Sequence, residues 1–183
     1  RACRSLWRLD TLGERRCLLL LSEEKPQLTA LAAQFGTEEP PETRDYAPLL
    51  ERIAVGSRWQ FRLHANPTYS SKSRDGRGKV HACTLVRKPE KCRPGMPEPK
   101  TQVGWLLHQA EVHGFAVQEE QFNVTGIRWY AFTKKTGERV RLLGVTYEGL
   151  LTVTDVEKFR EALLEGVGRG KAYGMGLLTV MRP

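Results

Sequence analysis

Residues 166–176 read Gly-Val-Gly-Arg-Gly-Lys-Ala-Tyr-Gly-Met-Gly, five glycines in eleven residues, with Arg169 and Lys171 among them. Glycine enters positive φ without steric cost, and successive N–H groups in such a run converge on an anion. The two cations add charge at the same place, so the chemistry suggested is contact with phosphate. Two common phosphate loops do not fit. A dinucleotide fingerprint places its third glycine at position 171, which is Lys171, and a Walker loop ending at Gly170-Lys171 needs a glycine where Glu165 stands. Both also demand strand, loop, then helix. The competing reading is structural, a C-capping glycine followed by a tight connection.

The flanking residues reverse that order. Thr154-Asp-Val-Glu157 reads as a capping box, and Val156, Phe159, Leu163 and Val167 fall on one helical face. Leu177-Leu-Thr-Val-Met181 reads as a buried strand. The glycine run therefore joins a helix to a closing strand.

The whole chain has 183 residues, is 40% hydrophobic and carries a net charge of +8, with a pI of about 9.5. That length supports one core or two small ones, and the charge favours a polyanion partner. No apolar run approaches the roughly 18 residues of a spanning helix. No signal peptide is read, and four cysteines (Cys3, Cys17, Cys83, Cys92) without a C-x-x-C pair suit a reduced, cytoplasmic protein. His81-x-Cys83 with Cys92 lacks a fourth ligand and paired spacing, so neither a metal nor another cofactor is expected.

In chain order, Leu6–Asp10 and Cys17–Leu21 read as a strand pair through Gly13, the second strand buried. Pro26 opens a short helix carrying Leu28, Leu31 and Phe35 and stopped by Gly36, and residues 36–48 read as loop. Trp59, Phe61 and Leu63 alternate with Arg58, Gln60, Arg62 and His64, a strand with one apolar and one basic face. Residues 65–100 hold nine Lys or Arg against three acids, with a flexible stretch at 70–78 and a candidate strand at 80–86. A helix over 100–113 turns Val103, Leu106, Leu107 and Ala110 inward, with Gly114 as its cap. Short strands follow at 115–118, 129–132, 139–143 and 145–153, the last broken near Gly149, with Lys134–Gly137 as a hairpin turn.

Helix, then G-x-G-x-x-K-x-x-G-x-G-L-L, then a C-terminal strand resembles the repeat-RNA-processing endoribonucleases of CRISPR type I-E (Cascade) systems, the CasE family. Trp7-Arg-Leu, Phe61-Arg-Leu-His-Ala-Asn-Pro67 and Trp105-Leu-Leu fit the same family in order. His64 stands where its members usually have Arg. The resemblance and the element order imply an α+β fold of tandem ferredoxin-like (RAMP) domains. The expected division is an N-terminal domain over 1–68, a basic linker over 69–78 and a C-terminal domain over 79–183. The first domain lacks its opening strand and helix, which are expected upstream of Arg1.

The resemblance implies metal-independent RNA cleavage at the 3′ base of a CRISPR repeat stem-loop. The 2′-OH attacks the adjacent phosphate and leaves a 2′,3′-cyclic phosphate and a 5′-OH. It also implies retention of the product within Cascade, beside other subunits, the backbone subunit next to the 3′ end among them. The family's base is a histidine, often with a tyrosine, in the segment expected upstream of residue 1, so no catalytic residue is assigned. RNA contacts are expected from Arg62, His64 and Asn66 on the strand end, from Lys134, Lys135, Arg139 and Arg141 around the hairpin, and from Gly166, Gly168, Arg169, Gly170, Lys171, Gly174 and Gly176 in the loop. For the hairpin cations a solvated turn is the alternative. His108 and His113 read as ordinary helix surface. The RNP1 pattern of RRM domains is absent, and Trp129-Tyr-Ala-Phe132 reads as core packing. Two rival functions remain: a non-catalytic hairpin-binding subunit on the same fold, and a generic basic nucleic-acid module without hairpin preference.

Overall fold

The computed structural model describes residues 5–35, 41–71, 78–89 and 100–183. Gly36, Cys3, Cys92 and residues 72–77 of the expected linker lie outside the described residues. The architecture is α+β and tandem ferredoxin-like. Its first part holds strands β1 (Leu6–Leu12) and β2 (Arg15–Leu21), paired antiparallel around Gly13, then helices α1 (Leu28–Phe35) and α2 (Ala47–Glu51). α2 lies partly in the stretch read as loop, with a proline in its first turn. β2 is not the buried strand expected, since Leu18 is 48% exposed. A two-stranded ribbon covers one face only, and its leucines alternate between covered and open sides.

The second part holds β3 (Arg58–Ala65), the hairpin β4 (Thr68–Ser71) and β5 (Lys79–Ala82), α3 (Gln102–Val112), β6 (Phe115–Ala116), β7 (Phe122–Thr133), β8 (Arg139–Val153), α4 (Val156–Glu165) and β9 (Leu178–Met181). β3 pairs with β8 on one side and β9 on the other, and β8 takes β6 and β7 along its far edge, all antiparallel. That is the β-α-β-β-α-β arrangement of a ferredoxin-like sheet. Its opening strand is β3, which the sequence order had placed in the first half. The strand expected at 80–86 ends at Ala82 and pairs with β4 in a separate hairpin.

β8 is continuous over 15 residues rather than broken. Gly149 does not end it. A Cβ there would lie 2.5 Å from the Cα of Phe122, so glycine admits the start of β7. The odd residues of β3 (Trp59, Phe61, Leu63, Ala65) are buried in the core with Val103, Leu106 and Ala110 of α3 and Phe159, Ala162 and Leu163 of α4. Leu107, expected inward, packs against this core half-buried, and Trp105 also turns in, stacked 6.0 Å from Tyr147. Thr101 caps α3 by accepting from Gly104 N. Asp155, not Thr154, caps α4 by accepting from Lys158 N at 3.1 Å.

The other face of the sheet meets β1 through a buried ion pair. Arg8 Nε donates to Asp10 Oδ1 at 2.8 Å and its NH2 to Oδ2 at 2.7 Å. The same guanidinium donates to the carbonyls of Arg62 (3.0 Å) and Leu177 (2.8 Å) and to Thr179 Oγ1 (2.8 Å). One side chain thus ties β1 to β3 and β9.

Candidate nucleic-acid interface

The Gly166–Gly176 loop runs from the end of α4 to β9, as its flanks require. All five of its glycines have positive φ, from +74° to +91°. Their packing explains why side chains are absent. A Cβ on Gly168 would lie 2.9 Å from the Trp105 ring, and one on Gly174 would lie 2.7 Å from Trp7. Much of the loop's hydrogen bonding is internal or runs to β3. Val167 N donates to Gly176 O (2.8 Å), Gly176 N to His64 O (2.7 Å) and Tyr173 N to Gly170 O (2.8 Å). Convergence of amides from the whole run on one anion is therefore not what the backbone does. Gly166, Gly174 and Gly176 are buried, while Gly168 and Gly170 are half-buried and Arg169 is exposed. The accessible part is 168–173. Lys171 is half-buried beside Gly176, and its charge helps hold the pKa of His113 below the usual histidine value, after burial of that ring.

The Ala-Asn-Pro strand end lies against this loop. Asn66 forms a bridge with Arg169. Its side chain is buried, and Oδ1 has no hydrogen-bond partner among the described residues. Arg62 and His64 project from the basic face of β3. Arg62 Nε sits 3.1 Å from Glu148 and 3.6 Å from Asp10, so acids already balance its charge. His64 Nδ1 is 2.9 Å from Thr146 Oγ1, and its ring stands edge-on to Tyr130, centroids 6.1 Å apart. Gly144 allows this, since a Cβ there would lie 2.6 Å from His64 Nε2 and 2.6 Å from Tyr130. Burial, then the charges of Arg8 and Arg62, hold the His64 pKa below its usual value, against an upward pull from Asp10.

These parts enclose a cleft of about 410 Å³ between β1, β3, β7, β8 and the glycine loop. Arg62, His64, Tyr130, Tyr173, Gly174 and Met175 are among its lining. Phe132 of β7 tilts against Tyr173 of the loop, centroids 5.1 Å apart, which fixes the long hairpin beside it. Farther along that hairpin, Lys134, Lys135, Arg139 and Arg141 are all exposed. Lys134 Nζ meets Glu138 at 2.6 Å, and Arg141 lies over the Trp129 ring at 4.2 Å. Trp129 is 42% exposed, so its expected place in the core is not what the fold gives it. Of the expected contacts, Arg62, His64 and Gly174 line this cleft, while Asn66, Arg169, Lys171 and the hairpin cations Lys134, Lys135, Arg139 and Arg141 lie outside its lining. Residue periodicity did not single out Arg8, Asp10, Tyr130 or Thr146. The signal available for the first two was Arg and Asp two apart on one strand face.

A cleft of this kind, edged by cations and exposed aromatics, suits a phosphate backbone with bases to stack. The chain is 29% identical over 188 residues to the CRISPR-associated endoribonuclease Cse3 of Thermus thermophilus, covering 97% of this chain and 79% of that protein. It is 26% identical to the Cascade subunit CasE of Escherichia coli, covering 89% of this chain and 73% of the other. The structure of Thermus thermophilus Cse3 bound to an RNA representing a pre-cleavage complex superposes with a TM-score of 0.69 at 27% identity, over 97% of this chain and 78% of that one. The family model described as CRISPR associated protein matches residues 1–182, and the chain belongs to that family.

Proposed function

We propose that this chain is an endoribonuclease that binds a CRISPR repeat stem-loop, cuts it at its 3′ base and stays with the product as a Cascade subunit in the cytoplasm. The observation that carries the reading is the cleft, where the glycine loop, the end of β3 and the β7–β8 hairpin meet. It lies in a chain similar over nearly its whole length to an RNA-bound endoribonuclease. The stem lies along the hairpin cations, and the backbone at its base crosses Gly168–Lys171. In the reaction, the 2′-oxygen bonds to phosphorus as its proton leaves to a base. The bond to the 5′-oxygen breaks and that oxygen takes up a proton from an acid or water, giving a 2′,3′-cyclic phosphate and a 5′-OH. Arg169 and Lys171 stabilise the charge that develops on phosphate. No metal takes part in this scheme, and no residue of this chain is assigned as the base. We place the boundary between the two units ahead of β3, because that strand pairs with β8 and β9.

The test is a labelled repeat stem-loop incubated in EDTA, beside the same RNA with a 2′-deoxy nucleotide at the cut. Cleavage of the ribose form alone is expected. Tight binding without cleavage points to the non-catalytic subunit, and equal binding of unstructured RNA removes the hairpin reading.

A further inference from the structure

Resting on that reading, we propose that a second groove, between the β4–β5 hairpin and the first half of α3, holds an unpaired stretch of the same RNA after it crosses the glycine loop. The groove has a volume of about 830 Å³ and is lined by Tyr69, Arg87, Lys88, Lys100, Trp105 and His108, among others. It is contiguous with the loop. Trp105, on its wall, is the ring against which Gly168 packs. Cys83 N donates to Pro67 O at 2.9 Å, which joins the β4–β5 hairpin to the strand end that bridges Arg169.

Its charge points to a polyanion. Among the described residues its lining carries three cations, Arg87, Lys88 and Lys100, and one acid, Glu119, which is 2.9 Å from Arg87. α3 has no acid in its first turn, and Lys100 precedes its cap residue Thr101. A cation at the positive end of a helix dipole is unfavourable unless an anion sits beside it. A small anion held by helix amides does not fit. Gln102 N and Val103 N donate to the carbonyls of Leu85 and Val86 at 2.8 and 3.1 Å, and Gly104 N to Thr101 Oγ1 at 3.0 Å. Side-chain charge and aromatic surface remain. Tyr69 stacks on His81 with centroids 5.3 Å apart and keeps 37% of its surface exposed, a platform for an unpaired base.

The experiment measures affinity for a stem-loop made uncleavable by a 2′-deoxy nucleotide, in three forms: bare, with a 5′ unpaired flank and with a 3′ unpaired flank. At least one flank is expected to tighten binding to the wild-type chain. Lys88→Ala with Lys100→Ala should abolish that gain and leave the bare stem-loop's affinity within about twofold. Loss of two single-strand phosphate contacts also lowers the salt slope for the flanked RNA by about 1.4. Tyr69→Ala should remove part of the gain without changing that slope. A gain that survives all these changes, or no gain from either flank, overturns the proposal. Failure to bind even the bare stem-loop is a separate result, which sinks the hairpin reading itself.

Discussion

Replacing Gly174 by alanine should cost far more than replacing Gly137, although both glycines have left-handed φ values, +75° and +83°. The conformational part is common to both, about 1–2 kcal/mol for an L-residue in that region. At Gly137 nothing among the described residues lies within 4 Å of the new Cβ. At Gly174 the Cβ lands 2.7 Å from Trp7 Cζ3, 2.9 Å from Cη2 and 3.0 Å from Cε3. Moving an indole or the loop aside adds about 1–3 kcal/mol. Gly137→Ala should therefore cost about 1–2 kcal/mol and Gly174→Ala about 2–5 kcal/mol in denaturant unfolding. Combining Gly174→Ala with Trp7→Ala should recover the steric part, a favourable coupling of about 1–3 kcal/mol. Because the displaced residues line the cleft, Gly174→Ala should also weaken stem-loop binding. Equal costs at the two glycines, or no coupling to Trp7, would refute the claim that contact with Trp7 decides the residue at 174.

Asp10→Ala strands the buried Arg8 charge and should cost about 3–5 kcal/mol, a melting shift of roughly 6–20 °C for a chain of this size. Removing both charges as Arg8→Met with Asp10→Leu should recover much of it, and thermal unfolding of the three variants checks this. His64 titrates below its ordinary value, so the folded chain binds fewer protons than the unfolded one in that window. Its contribution to stability is full above about pH 6.5 and is lost as pH falls toward the folded pKa. Unfolding of His64→Gln across that range should lose this component while that of His113, lowered in the same direction, remains. Charge reversal at Lys134 and Lys135 should weaken stem-loop binding more than single-strand binding in a competition assay, and an equal loss would mark a nonspecific patch. Arg169→Ala with Lys171→Ala should slow cleavage or weaken binding, and an unchanged rate and affinity would remove the loop from the mechanism.

Local features were legible where a short-range rule governed them. The alternation of β3, the α3 helix, the turn at Lys134–Gly137 and the helix–loop–strand order around residue 166 all appear as read. What failed depended on distant partners. Nothing within Arg58–Ala65 reveals that it pairs with residues some 80 to 120 positions later, so it was assigned to its sequence neighbours. Gly149 suggests a break in β8, and Gly144 lies between two expected strands, because a missing side chain in a strand signals either a bend or a close approach. Only the positions of His64, Tyr130 and Phe122 decide for the second. The cap of α4 was misplaced by one residue because Thr154 and Asp155 are both good caps.

The glycine loop shows how a structural and a functional reading divide one motif between them. Its glycine count initially favoured anion binding, but Trp7, Trp105, Leu6 and the loop's own backbone exclude side chains at 166, 168, 174 and 176. Several amides are consumed by internal bonds. Fold geometry therefore accounts for most of the glycines. It does not account for Arg169, which is exposed, nor for a cleft whose rim carries exposed Tyr173 beside Phe132. A loop needed only to join α4 to β9 has no use for an exposed cation. The tight packing beneath does have a use if that cation must be held still, since an electrostatic contact to a developing phosphate charge works best when its donor is fixed in place beforehand. On this view the packed glycines and tryptophans are the mounting, and residues 168–173 are the accessible part that the proposed RNA contact would use.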